Sequence, residues 1–477
     1  MDFDLSKRYC YYFNEISRIP RGSRNEKAIS DYICDFAEKH GLKYKQDAIW
    51  NVMVDKPASE GYENSEPIIL QAHIDMVNEK NDDVDHDFEK DPLQLYVEDG
   101  WLTANGTTLG ADDGSGVAYM LAILEDDSIP HPPLECIFTV QEEIGLLGAA
   151  ALTPEDLHGH RYISLDGNGV SITETSCAGA VSARILQPVT REDCSLPEYR
   201  LRVQGLLGGH SGGKIHLERG NANIIAGRIL KEAMLAGAHI TLTEMTGGLK
   251  ENAIPREASF RFVSDMPKEA LEKLIQKSAD DIAQELAYSD PDVSITLNET
   301  GTASSCFTQE VSDHLIDFIY LMPHGMIHRS MAVEGLTTAS LNLGVIYVRH
   351  GIATYEIMVR AADDSARAHI CNQLHVLAQL LKLEHDIPEG YPGWSYDANS
   401  RLRETLKMVA EKRGFPYREV ATHGGLECGI IKGLDPQMDI ITLGPITDMI
   451  HSPDERMELQ SFDDAWNILC DILRESK

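Results

Sequence analysis

No CxxC spacing occurs among the nine cysteines, which are odd in number and scattered from Cys10 to Cys470. A disulfide framework and a cysteine-type zinc site are thereby excluded as organising features, and a reducing compartment is expected. No apolar stretch approaches the roughly 20 residues of a membrane span. The opening MDFDLSKRYCYYF has no charged region followed by a long apolar run, so no targeting segment is read there. Positive charge is scarce: 42 lysines and arginines stand against 76 aspartates and glutamates, a net charge of −34. That balance excludes nucleic-acid backbones and anionic membranes as partners. The expectation is a soluble, cytoplasmic protein. Its 477 residues and 43% hydrophobic content suffice for roughly two to four domains with a sizeable core.

What is present is a set of short apolar runs that end on ligand-type side chains. Leu134 to Val140, LECIFTV, follows Pro132-Pro133 and runs into Gln141-Glu142-Glu143. It reads as a buried strand. Two adjacent carboxylates at such an end are costly to bury unless a cation meets them. Neighbours on an extended chain point to opposite sides, so one Glu can bind a cation while the other faces a substrate. PIILQAH, residues 67–73, is a second such strand, and His73 and Asp75 share a face at its end. A carboxylate beside a ligating imidazole orients it through the other ring nitrogen. RYISLD ends on Asp166, and MDIITL, residues 438–443, leads through Gly444-Pro445 to His451. Asp112 lies in LGADDGSG, just ahead of the apolar helix predicted over Val117 to Leu124. That position suits a helix cap, and equally a carboxylate bridging two metals.

In open α/β sheets, ligand sites lie beyond the carboxyl ends of the strands. His73, Asp112, Glu143, Asp166 and His451 form a set of two imidazoles and three carboxylates. That mixture suits Zn²⁺, Mn²⁺ or Co²⁺. One shared carboxylate with two further ligands per ion makes a two-metal hydrolase site chemically reasonable.

Residues 184–391 read differently. Their predicted elements run β-α-β-β-α-β, an order typical of a small α+β domain. A second segment from Ser312 to Leu381 echoes or extends it. The expected organisation is therefore a discontinuous α/β catalytic domain, residues 1–183 and 392–477, with an open and mostly parallel sheet and a di-metal site. An α+β domain, residues 184–391, is inserted in it. The insert carries GLLGGHSGGK, residues 205–214. This is not a Walker A loop, because Ile215 stands where Ser or Thr is required. His210 in it is a polar group able to reach a substrate.

Several stretches then resemble one family, in family order from residue 71 to 455. They include QAHIDMV (71–77), TTLGADDGSG (107–116), QEEIGLLGA (141–149) and GGHSGGKIHLERGNAN (208–223). NAIPREA (252–258), YPGWSYDANS (391–400), HGGLECG (423–429) and GPITDMIHSPDE (444–455) complete them. The chain resembles the di-zinc, aminoacylase-like metallopeptidases, and within them the aminoacyl-histidine dipeptidases. Two departures stand out: Asp113 follows the bridging position where Asn is common, and Gly167-Asn168-Gly169 replaces an expected acidic run.

The resemblance implies a metal-dependent dipeptidase that hydrolyses Xaa-His and other dipeptides, β-Ala-His among them, through a metal-bridging hydroxide. It implies two divalent ions, zinc first, with cobalt or manganese as alternatives. His73 and Asp166 would hold one ion, Glu143 and His451 the other, and Asp112 both. Asp75 would orient His73, and Glu142 would be the general base. His210 would act from the inserted lid on the oxyanion. Arg360, Asn252 and Arg256 would bind the substrate carboxylate, and Glu427 its amine. A homodimer through the insert, called a lid or dimerisation domain in the family, is expected. An aminoacylase, another amide deacylase or a tripeptidase on the same scaffold is the alternative, and a catalytically dead binding protein the third reading.

Overall fold

The computed structural model describes residues 3–477. The chain forms two compact units. The first comprises Met1–Ser176, Trp394–Ala421 and Leu426–Lys477; the second comprises Cys177–Gly393 and Thr422–Gly425. The expected cut at residue 184 falls inside strand Gly179–Pro188. That strand pairs along its whole length with Ile352–Ala361 and so goes with the second unit.

The first unit is built on a six-stranded sheet. Across it stand Lys43–Gln46, Val52–Lys56, Leu134–Thr139, Ile68–His73, Arg161–Ser164 and Asp439–Thr442. The last four run parallel, and the first two close one edge antiparallel. The two central strands are buried at every position. That is the pattern of a parallel sheet covered on both faces, and it explains why these runs do not alternate apolar with polar. Helix Ala111–Glu125 is buried almost throughout from Val117 to Leu124. Tyr119 stacks on Phe462 of the C-terminal helix Leu459–Glu475, with ring centroids 4.9 Å apart.

The second unit holds a nine-stranded sheet, antiparallel at every pairing, with helices Ala222–Leu235, Lys268–Glu285, Gln309–Leu321 and Asp364–Leu380. The later segment extends the sheet of the earlier one. The two halves meet through a single pair, Gly247 with Ile346. Beside it, Gly248 has φ +74° and leaves no room for a Cβ against the carbonyl of Gly344, so glycine is required at this seam. Among the described residues no helix is long and apolar enough to cross a membrane, and none of the cysteines is disulfide-bonded.

Candidate metal centre and its relatives

The parallel strands end side by side. His73 lies opposite Thr139, and Gln71 opposite Ser164. Glu142, Glu143 and Asp166 follow within a few residues, so the sheet itself gathers them at one edge. His451 arrives from another element. It sits in the turn between Thr447–Asp448 and Arg456–Glu458, which pair antiparallel in a small four-stranded sheet. Asn168 ties this turn to the Asp166 loop, donating to the carbonyl of Thr447 at 3.0 Å and accepting from its N–H at 3.2 Å. The Asn168 that departs from the expected acidic run is therefore a latch between the loops that carry Asp166 and His451.

Asp112 is the centre of the arrangement. Its Oδ1 lies 3.0 Å from His73 Nε2, and its Oδ2 lies 3.2 Å from His451 Nε2. Glu143 Oε2 is 3.0 Å from the same nitrogen of His451. Ligand atoms of His73, Asp112 and Glu143 all lie within 4.8 Å of one another. Asp166 shares a small cavity wall with Asp112, Asp113 and Ser115. On its other side, the His73 ring presents Nδ1 to the Asp75 carbonyl at 3.2 Å and carboxylate at 3.4 Å. Nε2 is thereby left to face Asp112.

Asp75 does more than orient His73. It is fully buried, and its carboxylate accepts from the N–H groups of Glu142 (3.0 Å) and Glu143 (3.4 Å). The backbone there is bent hard: Gln141 has φ +53°, and His451 has φ +61°. Left-handed conformations cost a non-glycine residue roughly 1–2 kcal/mol and gather at functional sites. Glu427 is 3% exposed, and its Oε2 is taken up by Gln71 and Thr139. Its Oε1 is buried without a hydrogen-bond partner.

The electrostatics fit a cation. Burial, with Asp112 close by, holds Asp166 well above the usual carboxylate range. Burial likewise raises Asp113 and Glu142, the latter to about 8, with Glu427, Asp112 and Glu143 adding to it. His451 is raised to about 10 by its contacts to Asp112 and Glu143. Glu143 Oε1 is buried without a hydrogen-bond partner. Oxygen and imidazole donors, surplus negative charge and an orphaned carboxylate oxygen are what divalent ions would complete.

Residues 69–475 match the profile of peptidase family M20/M25/M40. The chain belongs to this family. It is a peptidase, a hydrolase of peptide bonds. It is 34% identical over 470 residues to a cytosol non-specific dipeptidase of Escherichia coli strain K12, covering 97% of this chain and 96% of that protein. It is similar to the crystal structure of an aminoacylhistidine dipeptidase from Vibrio alginolyticus. That match has 34% identity and a TM-score of 0.91, and covers 98% of this chain and 96% of that one. A tripeptidase from Staphylococcus aureus, at 17% identity and a TM-score of 0.55, shares the fold. The expected resemblance and the α/β fold with an insert are borne out.

The remaining residues expected at the site, His210, Asn252, Arg256 and Arg360, belong to the second unit. His210 ends a two-residue strand paired with Ala253–Ile254, and Asn252 and Arg256 flank that partner. His210 Nδ1 accepts from the N–H of Gly213 at 3.2 Å. The proton of the neutral ring is therefore on Nε2. Arg360, 5% exposed, reaches the Tyr391 hydroxyl at 3.4 Å. Arg256 lines a groove of about 630 Å³ with Arg200, Arg202 and Lys250. His423 was given no role on sequence. It is 5% exposed, its Nε2 is 2.7 Å from the Ser340 hydroxyl, and burial followed by Arg360 lowers it to about 3. Glu455 was also missed. Its carboxylate accepts from the N–H groups of Leu109, Gly110 and Ala111 at 2.8–3.0 Å and caps the segment that carries Asp112. Its signal was the unmatched acid in HSPDE.

Proposed function

We propose that this peptidase is a metal-dependent dipeptidase acting on Xaa-His and other dipeptides, β-Ala-His included. The observation that carries the reading is the single carboxylate of Asp112 set between two imidazoles, with Glu143 on the second of them. His73 and Asp166 would hold one ion, Glu143 and His451 the other, and Asp112 both; zinc is the first choice, with cobalt or manganese as alternatives. Bound there, the ions supply Lewis acidity and a water of lowered pKa.

The chain's own residues do the rest. Glu142 takes a proton from the attacking water and passes it to the leaving amine. Burial raises its pKa in the metal-free protein and bound cations would draw it back down, and a shuttle works best with its pKa near the working pH. Asp75 fixes the Glu142 backbone. His210 offers Nε2–H to the carbonyl oxygen as negative charge develops on it. Arg360, with Asn252 and Arg256, is the proposed receiver of the substrate's terminal carboxylate. The name of the Escherichia coli relative, a cytosol dipeptidase, supports a cytoplasmic setting. A homodimer through the second unit is part of the same reading.

The test is hydrolysis of Gly-His, β-Ala-His, Gly-Gly-Gly and N-acetyl amino acids by protein of known metal content, with and without chelator. Chelator-sensitive cleavage of the dipeptides is expected. Turnover confined to acetylated substrates would replace the dipeptidase reading with an aminoacylase.

A further inference from the structure

Residues 17–26, SRIPRGSRNE, join helices Arg8–Ile16 and Lys27–Lys39. They supply none of the ligands assigned above, and they precede residue 69, where the family match begins. Yet they touch three of the segments that carry the site. Arg21 is 1% exposed. Its Nη1 donates to the carbonyls of Ile74 (3.1 Å) and Asp75 (3.2 Å), and its Nη2 donates to the carbonyl of Gly110. Met76 N–H returns to the Arg21 carbonyl at 3.1 Å. Ser23 donates its hydroxyl to Asp75 Oδ2 at 2.8 Å, and Glu26 accepts from the N–H of Gln141 at 3.1 Å.

The Gly110 peptide is gripped from both sides. Glu455 holds its N–H at 3.0 Å, and Arg21 holds its carbonyl. The guanidinium fits because the neighbouring residues are glycines: a Cβ on Gly110 or Gly114 would lie 2.5 or 2.6 Å from Arg21 Nη2. A planar fork of donors can span two chain segments at fixed separation, which an ammonium on a flexible stem cannot. Here the two segments carry His73 and Asp112, whose facing atoms define the first ion's position.

We propose that Arg21, assisted by Ser23, is the positioning residue that sets the span between the His73–Asp75 and Gly110–Asp112 segments, and so the geometry in which two ions share Asp112. The inference rests on the metal-centre reading above. Removal of groups that orient metal ligands typically costs 10–100-fold in affinity.

The test is Co²⁺ titration of metal-free protein, read by visible absorption and chelator competition, with folding checked by circular dichroism. Wild type is expected to take up two ions per chain. Arg21→Lys keeps the charge but cannot span both segments; it is expected to bind at least tenfold more weakly with a changed cobalt spectrum. Ser23→Ala is expected to weaken binding several-fold, and it decides the matter if Arg21→Lys does not fold. A core-filling role would lower thermal stability and leave affinity and spectrum untouched. Wild-type binding and spectrum in every folded variant would overturn the brace, whereas a wild type that takes up no cobalt would instead overturn the metal-centre reading.

Discussion

The two units carry opposite electrostatic problems. In the first, a parallel sheet brings carboxylates together at its strand ends, and burial pushes Asp113, Glu142 and Asp166 upward. In the second, an antiparallel sheet surrounds imidazoles with an arginine. Burial, then Arg360, pushes His210 and His423 downward. Each unit has concentrated charge of one sign where burial makes that charge costly. Each is therefore built for a guest of the other sign: divalent cations in the first and, on the proposed reading, a carboxylate or a developing oxyanion in the second.

The comparison breaks first at Glu142. If this residue is the proton shuttle and no ligand, Glu142→Ala should lower kcat by about 10³-fold, within the range for general acid–base catalysis. Metal content, by elemental analysis, should stay near two ions per chain. Loss of both ions in that variant would make Glu142 part of the cation site. His210→Ala probes the second unit. Loss of one oxyanion donor typically costs about 10²–10³ in kcat, and the ions should again be retained. An unchanged kcat would remove His210 from the chemistry.

Much of this division was legible in the sequence. The apolar strands and their terminal His73, Glu143 and Asp166 follow from local patterning, because a parallel strand end is set by a few consecutive residues. What could not be read was which distant loop supplies a hydrogen bond. Arg21 meets Gly110 across 89 positions, and Glu455 meets Leu109 across 346. His423 was equally hidden, because residues 422–425 go with the second unit although the chain on either side goes with the first. Patterning tells which side of an element is buried, but not what it is buried against. Glu427 shows the same limit: its motif was visible, but its partners Gln71 and Thr139 were not.

The third prediction concerns pH. Folding holds His423 at about 3, against roughly 6.5 for an unfolded histidine. Below 6.5 the unfolded chain takes up a proton that the folded chain refuses. Stability is thus unaffected by this group above about 6.5 and falls progressively as the pH drops from there toward 3. At pH 5 the deficit approaches about 2 kcal/mol. His423→Gln should flatten the stability–pH curve by about that much, measured by denaturant unfolding at pH 5 and pH 7.5. Parallel curves would show that neither burial nor the Arg360, His210 and His216 charges depress His423, and would weaken the view of this cluster as cation-rich.

The smallest effect sharpens the first unit. Asp166 shares its cavity wall with Asp112 and Asp113, and among the described residues no hydrogen bond to its side chain offsets the crowding. Asn has nearly the same shape without the charge. In the metal-free protein, Asp166→Asn should therefore relieve repulsion and raise stability slightly. With metal present the sign should reverse, because an anionic ligand is gone and the stabilisation by bound ion scales with its affinity. Thermal unfolding with and without zinc reads both arms in one experiment. A variant less stable than wild type in both conditions would mean that Asp166 is held by packing, and that the carboxylates are not waiting for a cation.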